Sequence, residues 1–146
     1  MSRRYKIHNQ QKLHFVTFTV INWMDVFIRD EYRKIVIDSI QYCQRNKGLE
    51  VYAYCIMTSH IHMIIGTTGE KKQEEIIRDL KSFTSRHIRK ALENPNHVHE
   101  SRREWMLASM YKAGKDNINN KDFQFWMQHN HPIELSSNNL LDERLN

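Results

Sequence analysis

The stretch that decides the fold runs Glu50-Val51-Tyr52-Ala53-Tyr54-Cys55-Ile56-Met57-Thr58-Ser59-His60-Ile61-His62-Met63-Ile64-Ile65-Gly66-Thr67. Glu50 to Met57 and His60 to Thr67 are two β-branched and apolar runs separated only by Thr58 and Ser59, the spacing of a hairpin. They are expected to pair antiparallel. In the second arm, side chains alternate between the two faces, so His60 and His62 share one face while Ile61 points to the other. Two imidazoles two rises apart on one strand can converge on a single divalent cation at metal–nitrogen distances of about 2.1 Å. The same spacing also suits two histidines that simply line a half-exposed sheet face.

The pattern extends outward from this hairpin in both directions. Leu13 to Asn22 is rich in β-branched and aromatic residues and reads as a first strand. Ile35, Val36, Ile40 and Cys43 recur at helical spacing within Asp30 to about Lys47, and Gly48 suits a left-handed helix stop. Glu70 to Leu92 places Ile76, Ile77, Leu80, Phe83, Thr84, Ile88 and Leu92 on one stripe of a long helix that Asn94-Pro95 closes. Asn96 to Asn120 is polar and without a clean period, so we read it as an insertion with a short helix around Trp105, Met106, Leu107, Met110 and Tyr111. Phe123 to Gln128 alternates as a last strand would. Ser137 to Asn146 reads as the opening turns of a C-terminal helix. The order β-α-β-β-α-β is that of an α+β, ferredoxin-like antiparallel sheet with helices on one face, plus that C-terminal helix.

Composition narrows the class. The 146 residues are 40% hydrophobic and 27% charged, with four Gly and two Pro, as in one folded domain. No apolar run approaches the ~20 residues of a membrane-spanning helix, and a cytoplasmic protein with no membrane partner is expected. Cys43 and Cys55 form no C-x-x-C pair and no disulfide framework. The formal charge of +5 favours a polyanionic partner. Neither a phosphate-binding Gly-rich loop nor a Ser-His-Asp motif is readable. Lys81, Arg86, Arg89 and Lys90 on the second helix, Arg102, Arg103, Lys112 and Lys115 in the insertion, and Arg144 near the end are available to neutralise phosphates. Each also suits an ordinary solvated surface. Trp105 and Trp126 are candidates for stacking on unpaired bases, with core packing the competing role for Trp126.

A His-hydrophobe-His triplet on the second arm of a hairpin, inside a βαββαβ chain, resembles the HUH endonucleases. The run Thr58-Ser59-His60-Ile61-His62-Met63-Ile64-Ile65, followed by Lys81-Ser82-Phe83-Thr84 and by Phe125-Trp126 to His131-Pro132, resembles the REP-associated branch of the single-tyrosine, IS200-like transposases over nearly the whole chain. That resemblance implies Mg²⁺ or Mn²⁺ held by His60 and His62. It also implies a tyrosine on a C-terminal helix that attacks single-stranded or hairpin DNA and leaves a 5′-phosphotyrosine link. Family members continue a Glu-Arg-Leu-Asn segment with Tyr-Ile-His-x-Asn-Pro, so the tyrosine is expected just after Asn146. Residues 1–146 then read as a single, C-terminally truncated domain of this class that binds DNA without cutting it, as a monomer or a homodimer. A regulatory relic that binds DNA without metal, and a ferredoxin-like interaction module with incidental charge, are the rival readings.

Overall fold

A computed structural model describes residues 6–117 and 122–135 of the chain. Strand β1, Leu13–Thr19, directs His14, Val16 and Phe18 to a buried side and leaves Leu13, Phe15 and Thr17 half-buried on the other, as a period of two requires. Strand β2 is Leu49–Ile56, β3 is His60–Thr67 and β4 is Ile133–Leu135. Their order is β2-β3-β1-β4, with every neighbouring pair antiparallel. This is the expected ferredoxin-like α+β arrangement. The histidine strand lies in the middle of the sheet, directly beside β1.

Helix α1, Asp30–Asn46, and helix α2, Gln73–Glu93, cover one face. Val16, Phe18, Ile61, Met63 and Ile65 from the sheet join Tyr32, Val36, Ile40, Ile76 and Ile88 from the helices in one continuous core. Full burial of such a side chain is worth roughly 1.5–3 kcal/mol. Beyond the end of α1, Gly48 adopts the left-handed φ of 75° that its place after the helix requires. Helix α2 starts at Gln73, three residues after the expected Glu70. The Thr67 hydroxyl donates to the Lys71 carbonyl, tying the preceding residues into a turn, and the buried Gln73 amide donates to the carbonyls of Gln10 and Lys12. No helix among the described residues is long and apolar enough to cross a membrane.

One expectation is met and another needs correction. The segment read as an insertion does hold the short helix expected around Trp105 to Tyr111: it is α3, Arg103–Lys115, whose Met106 and Met110 are fully buried in the main core. The Arg103 guanidinium donates to the carbonyls of Ala91, Leu92 and Val98, closing the C-terminal end of α2. Phe123 to Gln128, expected as the last strand, does run beside β1 but forms only an isolated bridge, Val20 with Trp126. Flanking it, Ile21 N–H donates to the Phe125 carbonyl and Met127 N–H to that of Thr19, each bond at 2.8–2.9 Å. One more backbone bond follows, from Thr17 N–H to the Asn130 carbonyl at 2.8 Å, before the track breaks. His131 takes a φ of 45° and Pro132 carries no N–H, so regular pairing with β1 resumes only at Ile133. The helix expected over Ser137 to Asn146 lies outside the described residues.

Candidate metal and nucleic-acid site

The register fixes the site. Thr17 of β1 pairs with His62 and Thr19 with His60, so both imidazoles emerge on the face opposite α1 and α2, as expected from their spacing. The two rings are half-buried, with centroids 4.8 Å apart and planes at 72°. The Thr17 hydroxyl lies 3.0 Å from His62 Nδ1, and the Ser59 hydroxyl 3.2 Å from His60 Nδ1. When each Nδ1 carries the proton and donates to its hydroxyl, each Nε2 keeps a lone pair for a cation. Phe15 stacks on His62 at 5.2 Å and fixes that ring from the side. Burial, and secondarily the charge of His60, hold the His62 pKa below the usual imidazole value, which favours the neutral ligating form.

A cation about 2.1 Å from a ring nitrogen sits on the order of 3 Å from the ring centroid, so two ligating rings can stand up to about 6 Å apart. The observed separation of 4.8 Å fits that limit. Among the described residues, no cluster of three or more His, Cys, Asp or Glu side chains is arranged to hold a metal. Cys55 faces His62 across the strand pair, but His62 is engaged by Thr17 and Phe15 on its other side. The donor set on these residues is therefore two imidazoles.

The family model described as "Transposase IS200 like" matches residues 7–120, most of the chain. The protein belongs to the IS200-like transposase family. The structure of a REP-associated tyrosine transposase bound to a REP hairpin shares the fold: its TM-score is 0.65 at 12% sequence identity, over 99% of this chain and 68% of the other. A protein of Deinococcus radiodurans R1 described as a transposase is a looser likeness, with a TM-score of 0.46 and 16% identity over 77% of this chain and 97% of the other. No protein with a curated description matches the sequence.

In this IS200-like chain the basic residues of α2 divide into two kinds. They lie on the helical layer, across the sheet from the imidazoles. Lys81 donates to the Met127 carbonyl at 2.8 Å and to Asn130 Oδ1 at 2.7 Å, and burial lowers its pKa to about 8. It pins the segment that precedes β4. Arg89 is held between Glu93 and Asp122 and lies over the rings of Tyr111 and Phe123. Arg86, resting on Phe83, and Lys90 are exposed and form no ion pair among the described residues. A cleft of about 430 Å³ between α2 and residues 122–128 is lined by Lys81, Ser82, Ser85, Arg86 and Arg89. Arg144 lies outside the described residues. Arg102 and Arg103 are engaged within the fold.

Sequence reasoning missed four neighbours of the histidines. Thr17 and Phe15 become visible only once the register of β1 against β3 is known, and Ser59, though adjacent to His60, carries no mark of its own. Trp23 meets the His60 ring edge-on, with centroids 5.6 Å apart, although nothing in its local spacing marks it. Of the two tryptophans considered for base stacking, Trp126 is core and donates its indole N–H to Thr84, whereas Trp105 is exposed on α3.

Proposed function

We propose that this IS200-like protein binds single-stranded or hairpin DNA through a divalent cation, Mg²⁺ or Mn²⁺, held by His60 and His62. The observation that carries the reading is the pair of imidazoles on one sheet face, each with its Nδ1 beside a hydroxyl. Bound there, the cation supplies Lewis-acid polarisation of a phosphate oxygen. Thr17 and Ser59 orient the rings, and Phe15 restricts how His62 can turn. Arg86 and Lys90 offer sequence-independent neutralisation of phosphates. The REP-associated tyrosine transposase that shares the fold is bound to a REP hairpin, which agrees with this assignment.

Five of the chain's six tyrosines lie among the described residues. Tyr32 is buried against Glu100, Tyr42 and Tyr111 stand on the helical layer, and Tyr52 and Tyr54 belong to the edge strand β2. Among the described residues none of these is recorded in contact with the imidazoles, so the complex they form with DNA is expected to be non-covalent. A labelled hairpin oligonucleotide incubated with Mn²⁺ tests both parts. The expected outcome is a non-covalent complex whose affinity drops steeply with added salt, as counterion release dictates. A denaturant-stable DNA adduct would contradict the assignment of the chemistry, and salt-independent binding would contradict the DNA surface.

A further inference from the structure

We propose that Trp23 is a stacking platform for an unpaired nucleobase, adjacent to the phosphate held at His60 and His62; its placement next to a phosphate rests on the DNA reading above. The chain has three tryptophans, and the fold treats them differently. Trp126 is 6% exposed, whereas Trp23 is 62% exposed. Its close neighbours Ile21, Met24 and Val26 are all buried. Hydrophobicity alone would turn the indole inward with them.

The backbone is what turns it outward. Asn22 and Trp23 adopt φ values of 56° and 53°, in the left-handed region. Asparagine tolerates this conformation, but a bulky residue does so only where its surroundings impose it. They do so here through hydrogen bonds on either side. Val20 N–H donates to the Ser59 carbonyl, Ile21 N–H to Phe125 and Phe27 N–H to Thr58, each at 2.9 Å. Two of these bonds tie the loop to the hairpin turn immediately before His60. The indole is thus held out beside the metal-ligating pair by a strained loop fastened to the same turn.

Beside a site that grips a phosphodiester, an exposed indole offers a flat surface to the base attached to that phosphate. Stacking of this kind tolerates any base but requires an unpaired one. Met57, whose N–H donates to the His60 carbonyl, adds exposed apolar surface across the strand.

The test is fluorescence titration in a Trp105→Phe background, where Trp23 is the one strongly exposed indole, using a single-stranded oligothymidylate and a blunt duplex as probes. The single strand is expected to quench the emission. Trp23→Ala should weaken single-strand affinity by about five- to 150-fold, Trp23→Phe should retain most of it, and all three chains should bind the duplex alike. Absence of quenching, together with unchanged single-strand affinity in Trp23→Ala, would overturn the proposal. Repeating the titration in EDTA and with His60→Ala/His62→Ala separates the two claims. Loss of Mn²⁺ dependence with quenching intact supports the platform independently of the metal, and quenching by the duplex to the same extent would overturn the requirement for an unpaired base.

Discussion

Glu100 shows how much a single residue can hold together. Its side chain has no exposed surface, yet it receives Arg29 Nε at 3.0 Å, Arg102 Nε at 2.9 Å and the Tyr32 hydroxyl at 3.2 Å. Burial pushes its pKa upward. The hydrogen bonds from Arg102 and the charges of Arg102 and Arg29 outweigh that effect and bring it to about 2. A carboxylate whose folded pKa lies below its unfolded value stabilises the fold fully above the unfolded value of 4.5, and that contribution is lost as pH falls toward about 2. Urea unfolding should therefore show stability declining across that window, and Glu100→Gln should flatten the decline. At neutral pH, Glu100→Ala leaves two guanidiniums without their shared anion. The cost should approach the lower end of about 3–5 kcal/mol, because both arginines retain some contact with water. Nothing in the sequence around Glu100 announces this role, since its partner Arg29 comes from the loop before α1. His60 and His62 were legible for the opposite reason: their relation is local, set by strand periodicity alone. Trp23 was not, because its exposure is decided by a left-handed backbone and by contacts with residues far along the chain.

Elements with a clear period were readable, and those held by single contacts were not. Helices α1 and α2 and the β2–β3 hairpin followed directly from apolar spacing. Helix α3 was read as part of an insertion because its buried face consists of Met106, Met110 and Gly114, two methionines and a glycine spaced four apart, while Trp105 points to solvent. The glycine is a steric requirement. A Cβ there would lie 2.1 Å from the Phe123 nitrogen, so α3 and the strand-like segment can meet only if no side chain intervenes. Gly114→Ala should destabilise the fold by about 1–3 kcal/mol or more, read as a lower urea midpoint, with the 122–128 segment losing amide-exchange protection. The last strand was misplaced because Phe125 and Trp126, adjacent in sequence, are both buried. Such a pair departs from alternation, and the regular pairing was displaced beyond Pro132.

Over the whole molecule, the sheet separates two kinds of chemistry. Its open face carries His60, His62, Thr17, Phe15 and the indole of Trp23, all placed by the pairing of β1 with β3 and by the loop that follows β1. Its covered face supports α2, where Lys81 and Arg89 are tied into the structure while Arg86 and Lys90 face solvent. The net charge of +5 thus overstates the cations available to a polyanion, because several of them close helix ends or neutralise Glu100. The reading proposed for this IS200-like protein rests on the imidazole pair rather than on its net charge. The most direct test is calorimetric titration of Mn²⁺ into the intact chain and into His60→Ala, His62→Ala and Thr17→Val variants. Mn²⁺ binding should be lost in either histidine variant and weakened about 10- to 100-fold in Thr17→Val, where only the hydroxyl beside His62 Nδ1 is removed. Equal Mn²⁺ affinity in all four proteins would contradict the account.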